Sequence, residues 1–282
     1  MNSKKEAYIT IITFLILTVA FYILGYWLIY RMGRATPLML SVGAATIATC
    51  LIRRKSLATL GWSWGSWNVQ WQSYLIPLFI TCVAYVTIWS LGLAELDSSK
   101  FLSDKKESYN LQEWGNFSLL AFHFFFIAII GFVMAIPSIL GEEIAWRGLL
   151  VPELSKVTSF TGVALVSGIL WSAFHWPIIF LGLYGNGDTS IYYQLFFFTL
   201  FLTSSGTIMA YYRLKSGSVW TAVMYHGTLN IFLQKLFAPI TINGENSNYY
   251  VDEFGAVLAL VASFVAYFYW KKGVREFTPL SR

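Results

Sequence analysis

The chain has 282 residues, is 57% hydrophobic, carries only 12% charged residues and has a formal net charge of +5. A soluble domain carries about 25% charged residues, so these proportions exclude a soluble globular protein. They point to an all-α, polytopic membrane protein with residues 1–282 forming one integral-membrane domain. The basic excess falls in short loops, where it sets orientation across the bilayer; the expected partner is lipid, with no nucleic acid.

Continuous apolar runs predict about eight transmembrane helices. Lys4 and Lys5 precede the first, Ala7–Tyr30, which has no small-residue cleavage site and reads as a retained span. The second covers Pro37–Ile52 and stops at Arg53-Arg54-Lys55. Gly61–Gln72 contains Trp62, Trp64, Trp67 and Trp71 among small polar residues and reads as an interfacial aromatic belt. The third span is Tyr74–Leu93, followed by a polar loop from Glu95 to Gly115. The apolar run from Phe117 to Val151 is about 35 residues, roughly 52 Å as a straight helix. That exceeds one membrane thickness, so an interfacial stretch at its start, a kink near Pro137, or both are expected. Spans five to eight are Phe160–Leu183, Tyr192–Tyr212, Val219–Phe237 and Phe254–Trp270. They are separated by a turn at Gly185–Asp188, a basic loop from Arg213 to Gly217 and a polar loop from Asn243 to Glu253. Cys50 and Cys82 fall inside spans and read as buried thiols. The distribution of Lys and Arg favours both termini in the cytoplasm, against Arg31 and Arg34 in the first outer loop.

Gly141-Glu142-Glu143-Ile144-Ala145-Trp146-Arg147 places two carboxylates and a guanidinium inside an apolar run. Each charge there costs about 2.5–3.5 kcal/mol even on lenient insertion scales. Glu143 and Arg147 stand at i,i+4, within reach of an ion pair. Glu142 is rotated by about 100°, so it stays available for chemistry. Few polar groups could meet it. His175 lies in span five. His226 and Asn230 lie on one face of span seven. At 1.5 Å per residue, Glu142, His226, Asn230 and His175 lie about 15, 13, 19 and 24 Å in from the inner loops. One shared site is therefore allowed, given some helix tilt. His123 has no polar neighbour at helical spacing and reads as a single interfacial residue.

Glu142-Glu143 followed by Arg147 resembles the EExxxR motif of the CPBP family, also called the Abi or type II CAAX-protease family. His175, with Trp171 where the family often has Phe, resembles its FxxxH motif, and His226 with Asn230 its HxxxN motif. The resemblance is strongest over residues 141–230. It implies an intramembrane endopeptidase acting on membrane-associated proteins or peptides, without a cofactor. Glu142 would activate water, His175 would help hold it, and His226 with Asn230 would donate to the oxyanion. Glu143 and Arg147 would support the site, and Trp171 would bear on packing. Eukaryotic relatives cut after a prenylated cysteine, whereas prokaryotic ones process other membrane proteins or are linked to bacteriocin immunity. Peptide hydrolysis inside a bilayer needs a water-accessible cavity, which Gly141, Ser167, Gly168, Ser172 and Gly227 would open.

Two other readings fit the residues. Glu, His and His are a legitimate zinc set, which would make this a metalloprotease, although no His-Glu-x-x-His helix is present. A non-catalytic transport or immunity protein would need none of this chemistry; against transport, no internal repeat is apparent.

Overall fold

The computed structural model describes residues 3–33, 36–242 and 244–277. Arg34 and Asn243 lie outside the described residues. The architecture is helical: α1 (Ser3–Met32), α2 (Thr36–Ile52), α3 (Trp67–Ser90), α4 (Ser99–Tyr109), α5 (Asn116–Ser155), α6 (Phe160–Phe180), α7 (Ile191–Ser216), α8 (Trp220–Phe232) and α9 (Ala256–Phe277). Among the described residues, strand is confined to one two-residue antiparallel pair, Glu95–Leu96 with Thr241–Ile242.

The expected eight apolar segments are present, and six helices are long and apolar enough to cross a membrane. The other two are shorter: α2 has 17 residues, and α8 has 13 before continuing as a π-helical turn, Leu233–Phe237. The chain is an integral membrane protein, and its side chains sort accordingly. In α1 the exposed residues include Ile12, Ile16, Val19 and Ile23, while Thr10, Phe14, Thr18 and Gly25 are buried. Several interior hydroxyls are satisfied within their own helices, as where Thr46 and Thr49 donate to the carbonyls of Val42 and Ala45. Small residues then let helix backbones approach closely. A β-carbon on Gly43 would lie 2.6 Å from the Gly141 carbonyl oxygen, and one on Gly168 would lie 2.6 Å from the Thr203 Cα. These glycines, together with Gly227 beneath Phe132 and Ile139, fasten helices together. The cavity described below is lined by none of Gly141, Ser167, Gly168, Ser172 and Gly227, contrary to the expectation that they open it.

The two ends of the bundle are distinct. Arg53–Glu6 at 2.6 Å, Lys55–Glu153 at 2.9 Å and Lys156–Glu153 at 2.8 Å tie the start of α1 to the ends of α2 and α5. Tyr211 donates to Glu276 at that same end. Tyr184 to Glu253 and Trp89 to Thr241 mark the opposite end. The chain enters α1 and leaves α9 at the first end.

Three local expectations are revised. The polar segment after α3 folds into α4, because Phe101 and Leu102 are buried, the Asp97 carboxylate accepts from Ser99 N–H and Asn110 closes the helix in the left-handed region. His123 is buried and has polar partners from distant segments. Its Nδ1 meets the Tyr109 hydroxyl at 2.7 Å and its Nε2 donates to the Lys235 carbonyl at 2.8 Å, so it joins α4 to the turn after α8 in a structural role. In α5 the departure from α geometry lies not at Pro137 but at two π-helical segments, Ile127–Gly131 and Ile144–Leu150. Both cysteines are free thiols, Cys50 buried and Cys82 half-buried.

Candidate active site

The second π-helical segment of α5 begins directly after Glu142-Glu143, and such bulges re-aim side chains where they occur. Its end explains an arginine that the sequence presents only as loop charge. Val151 N–H bonds to the Trp146 carbonyl, so it does not serve the carbonyl of Arg147. The next donor in π register would belong to residue 152, which is proline and has no N–H. Arg213, buried near the end of α7 rather than lying in a loop, donates from Nε to the Arg147 carbonyl at 2.8 Å and from Nη2 to the Leu60 carbonyl at 3.4 Å. It thereby holds the bulge that orients the motif. Arg213→Met leaves a buried carbonyl without a donor and is expected to destabilise by about 1–3 kcal/mol, read as a lower Tm. A Tm equal to wild type would mean that the bulge holds without it.

Within the motif the two carboxylates have separate partners. Both oxygens of Glu143 accept from Arg147 Nη1 at 3.0 Å, and both side chains are fully buried. Glu143 Oε1 also accepts from His226 Nδ1 at 2.8 Å. Glu142 points elsewhere: its Oε2 accepts from Trp171 Nε1 at 2.8 Å. Trp171 has a further contact, since the Arg147 guanidinium lies 4.1 Å from its ring centre, an attractive cation–π arrangement. Trp171 therefore does more than pack. It joins the buried ion pair to Glu142 through a donor that phenylalanine lacks.

These hydrogen bonds fix protons on the two histidines. A carboxylate and a carbonyl only accept, so His226 carries its proton on Nδ1, toward Glu143. His175 likewise donates from Nδ1 to the Trp171 carbonyl at 2.9 Å. In each neutral ring, Nε2 is then the acceptor.

Glu142, Trp171, His175, His226 and Asn230 all line one cavity of about 430 Å³. The first three sit on α5 and α6, with His226 and Asn230 on α8. Much of the remaining wall is apolar, including Phe174, Ile178, Phe198, Leu229 and Leu233. Glu143 and Arg147 lie behind the wall. The far part of the cavity reaches Gly33, Leu183, Tyr184 and Glu253, at the end of the bundle opposite the termini. Burial, then the Glu253 charge, raise the Tyr184 phenol well above its ordinary range. Tyr184, Gln234 and Glu253 are lining residues that the sequence analysis does not single out: Tyr184 and Glu253 lie in loops with no motif around them, whereas Gln234 follows Asn230 by four residues in the same helical run, a spacing that could have found it. Among the described residues, no three His, Cys, Asp or Glu side chains are grouped to hold a metal ion.

A family model described as type II CAAX prenyl endopeptidase Rce1-like matches residues 119–232. CAAX prenyl protease 2 of Methanococcus maripaludis is 33% identical over 94 residues, 32% of this chain and 34% of the relative. The chain thus spans about a third of the curated relative it matches. The motif resemblance and the family model coincide on helices that build the cavity, and over residues 119–232 the chain is similar to the Rce1-like type II CAAX prenyl endopeptidases.

Proposed function

We propose that the protein is an intramembrane endopeptidase hydrolysing peptide bonds of membrane-associated proteins or peptides, with Glu142 as general base. The observation that carries this reading is a cavity whose wall combines Glu142, His175, His226 and Asn230 with apolar surface. Trp171 holds one Glu142 oxygen, which leaves the other to take a proton from water. His175, protonated on Nδ1, offers Nε2 as an acceptor for the second hydrogen of that water. As the water oxygen attacks the scissile carbonyl, charge develops on the carbonyl oxygen. The Asn230 amide donates to it in any protonation state. His226 donates from Nε2 only as an imidazolium, whose charge the adjoining Glu143 carboxylate would balance. Collapse of the tetrahedral intermediate passes the proton from Glu142 to the leaving amine.

In this reading the reaction needs no metal. The cell membrane, with both termini on the cytoplasmic side, is the placement that the basic end of the bundle supports. The name of the archaeal relative supports a CAAX-type substrate. The apolar wall would suit any hydrophobic segment, so the substrate class is proposed no more narrowly.

The test is kcat and KM for His226→Ala and Asn230→Ala in purified full-length protein, beside elemental analysis of active wild type. Losing an oxyanion donor is expected to lower kcat by about 100- to 1,000-fold with KM little changed. Stoichiometric zinc in wild type that is lost in His226→Ala would replace this mechanism with the metalloprotease reading.

A further inference from the structure

The cavity carries a second carboxylate that the hydrolytic chemistry leaves unused. Glu253, buried in the loop before α9, lines it together with Glu142. Its Oε1 accepts from the Tyr184 hydroxyl at 2.6 Å and from Gln234 Nε2 at 3.4 Å. Both donors are neutral. Among the described residues, neither Glu253 nor Glu142 has an ion-pair partner, whereas Glu143 has Arg147 and Glu153 has Lys55 and Lys156. Among the described residues, the cavity wall therefore presents two carboxylates and no Lys or Arg, and is otherwise rich in Phe and Leu.

An uncompensated buried charge costs several kcal/mol, and the cost falls when a ligand brings the opposite charge. The two carboxylates share a continuous wall. The Tyr184 ring, whose hydroxyl holds Glu253, lies 6.1 Å from the His175 ring. His175 in turn hydrogen-bonds to Trp171, the residue that holds Glu142.

We propose that Glu253, set in place by Tyr184 and Gln234, is a specificity subsite for a basic side chain of a mainly apolar peptide whose scissile bond lies at Glu142. The long stem of Lys or Arg suits this wall, since such side chains lay their methylenes along apolar surface and carry the charge to a polar end. The assignment of a scissile bond rests on the endopeptidase reading; the charge preference itself does not.

The experiment uses full-length protein carrying Glu142→Gln, so that peptides bind without being cut. Fluorescent apolar peptides differ at one position at a time, with Lys, Gln or Glu at that position. At one position the Lys peptide is expected to bind at least about tenfold more tightly than its Gln counterpart, as for a charge-assisted hydrogen bond. Adding Glu253→Gln should remove the difference. Equal affinity of Lys and Gln peptides at every position would overturn the proposal, and that comparison needs no change at Glu253. A Lys preference that survives Glu253→Gln would overturn it as well. Incubating the same peptides with wild type separates the two readings. Failure to cut any of them would count against the endopeptidase, while the binding comparison would still decide the subsite.

Discussion

Glu142→Gln is expected to lower peptide hydrolysis by about 100- to 10,000-fold, the usual worth of a positioned general base, with Tm close to wild type. The substitution preserves volume and can keep the Trp171 contact, because the glutamine carbonyl oxygen accepts from the indole as the carboxylate does. What it removes is the ability to take a proton. Glu142 has no ion-pair partner among the described residues, so the change strands no charge. kcat from purified protein, read beside a thermal melt of the same preparation, separates the two effects. A parallel loss of folded protein would make Glu142 a structural residue and leave the mechanism without its base.

Arg147→Met should act in the opposite way, mainly on stability. Arg147 and Glu143 are both fully buried and 3.0 Å apart, so removing the guanidinium leaves a carboxylate in the interior with only His226 beside it. Breaking such a pair typically costs about 3–5 kcal/mol. The Trp171 ring also loses the cation at 4.1 Å, which should loosen the residue that holds Glu142. Combining Glu143→Gln with Arg147→Met removes both charges and should recover part of the loss. A double variant no more stable than the worse single one would contradict the pairing.

Much of the site was legible in the sequence because charge in an apolar run is expensive and helical spacing sorts its partners. The i,i+4 offset of Glu143 and Arg147 and the rotation of Glu142 both correspond to separate contacts in the structure. What could not be read depends on the register of one backbone segment and on packing between distant helices. The π-helical turn at Ile144–Leu150 leaves no periodicity signal, so Arg213 looked like one more loop charge. The contact of His226 with Glu143 joins residues 83 positions apart, and it changes the form in which His226 can donate. Small and polar residues such as Gly141, Ser167, Gly168, Ser172 and Gly227 suggest a cavity when read from sequence. In a membrane bundle the same smallness serves backbone approach, and Gly43, Gly141 and Gly168 are used in that way. Glu253 was hidden by its loop, since nothing in Val251-Asp252-Glu253-Phe254 indicates that one carboxylate turns into the cavity.

The most direct measurement of the central claim is a comparison of peptide termini in membranes from cells making wild type and cells making Glu142→Gln at matched levels. A Glu142-dependent intramembrane endopeptidase predicts a set of new termini, from segments within or beside apolar stretches, present with wild type and absent with the variant. Identical termini in the two membranes, with both proteins folded and present, would contradict it.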